Sequence, residues 1–477
     1  MANAISKKID APVSVGKVDI MLPNRIVVDD LLVFDQNADS MLMANRVAAK
    51  IRLREIPNNK IDIISLQMFG VDGRFYKKDD STPANFQFAL DSLFKKKDDD
   101  KEGIKVALNS IIVRRSKIGY DRYDKEKTEG VFSPDHLQLD NISAHVFINN
   151  SEKGIDGLTV KRLSFDERSG VKMKSLATKI SLTDDATQIN DLRAEIGQSE
   201  LNVEKVSIGK SNNQAGDTTP LTVQLSPSKL SFSDAKIFIP TLKNLDGTVN
   251  IQGNIESEND GYKAEGIRIE DKARGTLVEA NGRYSNSNNA WEANVKNITT
   301  NGKTLSDYYT GITGDNKQKK KLESLGNVNA TGMFSSKNKN IESRGKIVSE
   351  QGSVEYDALY TKANDGLKAK VSTSDMMLGM ITGIDKLGKI TADLSMESSN
   401  ISSKSKKINA EGNIKKLAYD GRTYSDIALK GNLAGDKIDG FIATKDIVGD
   451  LKINGTYFIN NKKQDNNIND KIGRAHV

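Results

Sequence analysis

Between Val13 and Phe94 the chain alternates apolar and polar residues with a period of two, the pattern of half-buried strands. Val13 and Val15 lie on one face. Val18, Ile20 and Leu22 continue the alternation after a phase shift at Gly16-Lys17, where a bulge fits. Val47, Ala49, Ile51 and Leu53 alternate with Ala48, Lys50, Arg52 and Arg54, giving one apolar face and one mostly charged. Ile61 and Ile63 open a third strand, and Val71, Gly73 and Phe75 close a later one. Turns are expected at Pro23-Asn24, from Asp35 to Asp39 and at Pro57-Asn58-Asn59. The run PANFQFALDSLFKK is helix-compatible and short enough to seal one end of a sheet.

Further along, KKKDDDK at Lys95 to Lys101 reads as a charged loop. Strands are expected at Ile104 to Leu108, Ile111 to Val113, Leu137 to Leu139 and Ile142 to Ile148. Others fall at Leu158 to Phe165, Val171 to Leu182, Leu201 to Ile208, Leu221 to Leu225 and Lys236 to Ile239. Gly, Asn, Asp and Ser separate them, as in a meander. The polar run Asn212 to Thr219 marks a module boundary.

Past residue 240 a weak repeat emerges: Gly247-Thr-Val-Asn-Ile-Gln-Gly253, Gly326-Asn-Val-Asn-Ala-Thr-Gly332 and, more loosely, Gly388-Lys-Ile-Thr-Ala-Asp-Leu394. Short helices are expected ahead of the second and third copies, at Lys303 to Ile312 and Ser374 to Ile384. A strand roughly every 12 residues would make on the order of 35 to 40 strands, ~4.8 Å apart.

Composition narrows this picture in two ways. With 37% hydrophobic residues and a mean hydropathy of −0.51, apolar material is too scarce for a sheet buried on both faces. The 70 basic and 64 acidic residues nearly balance, which argues against a dedicated nucleic-acid surface. Lys317 to Lys321 reads as a solvated loop. There is no cysteine, so disulfides and thiolate chemistry are excluded, and no apolar run approaches the ~20 residues of a membrane-spanning helix.

Candidate chemistry is thin. His145 falls on the polar phase of a strand, and His136 is the other histidine outside the C-terminal end. Asp98-Asp99-Asp100 and Asp184-Asp185 read as solvated loop charge rather than cation sites. Arg268 and Glu270 alternate with Ile267 and Ile269, which puts both on a wet face. No phosphate loop, metal-ligand spacing or catalytic carboxylate pair emerges, so neither an enzyme nor a cofactor is expected.

Five segments in order, K-K-I-x-x-x-V-S-V-G-K-V, P-N-R-I-V-V-D-D-L-L-V-F-D-Q, R-V-A-A-K-I-R-L, N-K-I-D-I-I-S-L-Q-M-F-G-V-D-G-R-F-Y and N-F-Q-F-A-L-D-S-L, make residues 5–94 resemble the N-terminal module of the AsmA-like family, in its TamB-type branch. Residues 245–458, with Tyr419-Asp-Gly-Arg-Thr-Tyr-Ser-Asp-Ile-Ala-Leu-Lys-Gly431, resemble that branch's repeat region; the middle of the chain matches only in style. Periodicity alone gives an extended β-protein, for which an ordinary sandwich core is also open.

The resemblance implies a mostly β fold: a long, twisted and curved antiparallel sheet with a few short helices, forming an apolar groove. The expected division is an AsmA-like module over 1–97, a β-meander over 98–240, irregular repeats over 241–460 and a disordered tail over 461–477. Within that tail, Lys471 to Val477 back-translates to a sequencing adapter, so the chain is expected to continue past residue 470. An inner-membrane anchor is expected upstream of Ala2.

The implied function is an envelope-spanning bridge carrying phospholipid through the periplasm between inner and outer membranes. An outer-membrane barrel protein of the translocation and assembly module is an implied partner; nucleic acid is not. The concave groove floor is expected from Val13, Val15, Val18, Ile20, Val47, Ala49, Ile51, Leu53, Ile61 and Ile63, with head groups near Lys50, Arg52 and Arg54. The alternative is a scaffold for outer-membrane protein assembly, acting by edge-strand pairing. A closed-sandwich surface adhesin is the third reading.

Overall fold

A computed structural model describes residue 6 and residues 11–58, 60–94, 105–151, 154–210, 218–403, 405–446 and 449–458. The expected mostly β fold is what the chain adopts: 67% strand and 10% helix, with 25 strands and a few short helices among the described residues. The chain divides into two units, with the main boundary between Ile251 and Gln252.

The first unit begins with β1 (Val13–Met21), β2 (Arg25–Phe34), β3 (Ser40–Ile51) and β4 (Lys60–Lys77), paired antiparallel in chain order. After β4 comes a helix, α1 (Gln87–Phe94), then β5 (Lys105–Leu108) and β6 (Ser110–Arg122), which both pair with β4 in parallel. This departs from the antiparallel expectation. A helix in the connection is what lets the chain return to the same end of the sheet, since parallel neighbours need a crossover. The antiparallel meander then resumes through β7 (His136–Ser151), β8 (Gly154–Glu167), β9 (Lys172–Leu182), β10 (Ala186–Ile196), β11 (Ser199–Gly209) and β12 (Leu221–Ser231).

A short helix, α2 (Phe232–Ala235), follows β12, and then β13 (Thr248–Glu258) crosses the boundary. The second unit continues as β14 (Gly261–Asp271), β15 (Thr276–Ser285), β16 (Ala290–Asn301), β17 (Asn327–Lys337), β18 (Asn340–Ser349) and β19 (Gly352–Thr361). It ends with β20 (Gly366–Met377), β21 (Leu387–Ser399), β22 (Lys407–Tyr419), β23 (Arg422–Ala434), β24 (Lys437–Asp446) and β25 (Gly449–Phe458). From β14 to β25 every consecutive pair is antiparallel. Helices α3 (Gly302–Thr313) and α4 (Lys319–Glu323) join β16 to β17, and α5 (Leu378–Thr382) joins β20 to β21.

The irregular sequence repeat becomes regular when counted in strands. Its three copies open β13, β17 and β21, four strands apart, and each follows a helical connection. Their unequal spacing in residues comes from those connections, not from the sheet.

Several expectations need correction. Leu53 is not in a strand; it starts a 3-10 turn, Leu53–Asn58, and is 51% exposed. Lys236 to Ile239 form a turn after α2, and Ser374 to Met377 belong to β20, so only the second half of that helix expectation holds. Part of the lysine run, Lys319 to Lys321, is helical in α4. Strands among the described residues number 25, fewer than expected, because most run ten residues or more, through Asn, Lys and Glu that read as turns. The charged run at 95–101 and the tail at 461–477 lie outside the described residues, as does all but the end of the polar run at 212–219.

The phase shift at Gly16-Lys17 is present, but without a slip in register. Val15 pairs with Leu31 and Lys17 with Asp29, leaving Gly16 opposite Asp30. Asp30 has φ 55, a left-handed conformation that aspartate tolerates better than most residues.

Candidate functional site

Directly opposed residues on neighbouring strands project from the same face of a sheet. In the first unit one such row reads Val18, Val28, Val47, Met68, Val113, Ala144, Leu163, Leu176, Ala194 and Leu201, from β1 to β11 with every member apolar. A second runs Ile20, Ile26, Ala49, Leu66, Ile111, Val146 and Val160.

The second unit extends the device. One row reads Ile267, Ala280, Val295, Gly332, Gly345, Tyr356, Val371, Leu394, Gly412, Leu429, Ile442 and Ile453, one residue from each strand β14 to β25. A parallel row carries Ile269, Val278, Ile298, Ala330, Ile347, Val354, Thr373, Ala392, Ile414 and Ile427. Between strand neighbours of the first row lie charges on the opposite face. Arg268 meets Glu279 at 2.6 Å, Lys346 meets Glu355 at 2.7 Å, Lys368 meets Glu397 at 3.0 Å and Lys415 meets Asp393 at 2.7 Å. The Lys415 hydrogen bond holds the Asp393 carboxyl below its usual range. The wet-face placement of Arg268 and Glu270 therefore holds.

Among the described residues, helices cover the apolar face of the second unit at one end of the strands. There α5 lies over Met376, Ile390 and Ala392, which are 6%, 7% and 1% exposed. Next to α3, Val328 is 3% exposed. Asp271, at the end of β14, fixes α3: it accepts from Tyr308 Oη at 2.7 Å and from Arg274 Nη1 at 3.0 Å. Burial opposes its charge, but these two donors prevail and hold its carboxyl below the ordinary range. At the other end the face is open, with Tyr284, Trp291 and Ile341 exposed by 41%, 40% and 44%. Through the middle, Val295, Tyr356, Val371, Leu394 and Leu429 are half-buried. A second sheet packed on this face would have buried them.

The expected floor residues fall into three groups. Val18, Ile20, Val47 and Ala49 take their places in the two rows of the first unit, Val18 and Ile20 exposed on the edge strand. Val13 instead packs with Val33, Met41 and Phe86 under α1, and Val15 sits opposite Leu31 beside that cluster. Ile51 is 9% exposed and pairs with Ile63, while Ile61 pairs with Val106. Leu53 is off the sheet altogether.

Nor is Arg52 free to meet a head group. Its guanidinium lies 3.0 Å from Asp62, a carboxylate 5% exposed that also accepts from Asn109 Nδ2 at 2.6 Å. Asp62 alternates with Ile61 and Ile63, so Arg52 and Ile51 keep to opposite faces as the alternation requires. The second face at β2 and β3 is less polar than expected, since Val27 and Ala48 are both 5% exposed.

Two further features were not legible. Hollows lie on the polar side: one of about 810 Å³ runs over β19 to β24, lined by Asp357, Lys370, Glu411, Lys430 and Asn432 with Phe441. His136 is 5% exposed, with Nδ1 3.0 Å from Asp121 and Nε2 3.1 Å from the Lys125 carbonyl, a structural role in tying down the β6–β7 connection. His145 is half-buried against Phe147.

Among the described residues no group of three or more His, Asp or Glu is placed to hold a metal ion, and no helix is long and apolar enough to cross a membrane. No protein-family model, curated protein or solved structure matches this chain.

Proposed function

We propose that the apolar face carries the acyl chains of phospholipid, and that the protein is a lipid-transfer bridge between the membranes of a diderm envelope. One observation carries the reading: twelve consecutive strands contribute an apolar or glycine residue to a single row over which no second layer lies among the described residues. Each methylene kept from water gains ~0.8 kcal/mol, so a two-tailed lipid of about thirty methylenes needs ~25 kcal/mol of cover throughout its journey. Rows of Val, Ile, Leu and Ala provide that cover uniformly, without a position that binds much more tightly than the next. The envelope location, the inner-membrane anchor and the outer-membrane partner come from the resemblance to the AsmA-like family, not from the geometry.

A scaffold role by strand addition is the second reading, and β1 favours it. This strand pairs only with β2 among the described residues, and its end exposes Ile20 by 74% and Met21 by 54%.

The test is native mass spectrometry of the full chain purified from a diderm host. Bound phospholipid is expected, reduced in Val113→Glu and Val371→Glu while thermal melting stays close to that of the unaltered protein. Protein free of lipid, but retaining an extended client peptide on β1, would support the scaffold instead.

A further inference from the structure

Resting on the lipid reading, the geometry points to a fixed orientation for the occupant in the second unit: acyl chains parallel to the strands, tail ends under α3 and α5, and the polar head group at the opposite end. The first support is the gradient of cover. The apolar face is closed at the helical end, where Ala392 is 1% exposed, and open at the other, where Trp291 is 40% exposed. Because the strands alternate in direction, both helical connections lie at that one end, and all the odd-to-even turns lie at the other.

The second support is length. From the Ile347–Val354 row to the Ile341–Tyr360 row the face is six residues deep, or ~20 Å at 3.4 Å per residue. One leaflet of a bilayer's hydrocarbon core is ~15 Å. Tails laid along the strands are thus covered over their length, and the head group emerges at the open end.

The third support is the chemistry of that end. Tyr284, Trp291 and Tyr360 stand in one row there, and amphipathic rings of this kind settle where hydrocarbon meets water. The Tyr360 hydroxyl points to the margin, donating to Asp365 at 2.9 Å. Around it the turns carry exposed Lys337, Lys339, Lys362 and Lys407. Acidic residues stand among them: Asp260 accepts from Ser285 and Ser287, Asp365 accepts from Tyr360 and Ser402, and Glu342 and Asp436 are exposed, so charges of both signs line this water-facing margin. A polar head group at the aromatic end meets water and charged side chains, as the tails under the helices do not.

Trp291 is the chain's one tryptophan, which makes the orientation measurable. The full chain is loaded with phosphatidylglycerol brominated either near the carbonyl end of its tails or near the methyl end, and tryptophan fluorescence is read. Stronger quenching by bromine near the carbonyl end is expected. Equal quenching, stronger quenching from the methyl end, or bound lipid with no quenching at all would overturn the orientation and leave the lipid reading standing. Failure of either lipid to bind would sink both.

Discussion

Gly345 of β18 lies directly opposite Tyr356 of β19, and the tyrosine hydroxyl lies over the space that a side chain at 345 would fill. A methyl group there would come 3.0 Å from that oxygen and 2.5 Å from the Thr331 carbonyl. On the other side Gly345 meets Gly332, so two glycines seat one large ring in the middle of the apolar row. Flatness at this point is a packing requirement.

Gly345→Ala is therefore expected to destabilise the second unit by about 1–3 kcal/mol through overpacking, lowering its melting temperature by several degrees. Gly440, whose Cβ position meets nothing within 4 Å, is the matched control. Its change to Ala should be close to neutral in the same thermal melt.

Asp271 gives a pH dependence with a definite sign. Its carboxyl titrates below the ordinary 3.8 in the folded protein, despite burial, because Tyr308 and Arg274 donate to it. Its contribution is thus fully present above pH ~4 and is lost as pH falls through the lower folded value. Asp271→Asn should cost about 2 kcal/mol at neutral pH, and the difference between variant and parent should shrink under acid. Thermal melts from pH 7 down to 3 check this; a gap that widens with acid would contradict the assigned donors.

Burial separates two residues that the alternation alone treats alike. Ile51→Asp places a carboxylate at a position 9% exposed, opposite Ile63, and should cost several kcal/mol. Val18→Asp changes a residue 40% exposed on the edge strand and should stay within about 0.5 kcal/mol. Denaturant unfolding of both variants is the measurement. Equal loss would mean that β1 is covered in solution.

The faces were legible because a strand declares them by period two: Val47 and Ala49 fell where the alternation put them, and so did Arg268 and Glu270. The end of a strand is harder to read. Leu53 keeps the period, but the Arg52 amide already bonds to the Asp62 carbonyl and Pro57 enforces a turn, so the alternation continues past the sheet. The rows themselves could not be read, since which residue faces Val113 depends on turn lengths and on a parallel crossover through α1. Val28, Met68, Val113 and Leu163, absent from the expected floor, enter the row through register alone.

The central claim is that one face of the sheet touches acyl chains and the other does not. Val371 and Lys370 are neighbours in β20 on opposite faces, Val371 facing Tyr356 and Leu394, Lys370 facing Asp357 and Ser395. A photo-crosslinking amino acid placed at each position in turn, illuminated in living diderm cells, reads which face meets lipid. The account requires phospholipid adducts at position 371 and none above background at position 370; equal labelling of the two positions, or none at 371, would contradict it.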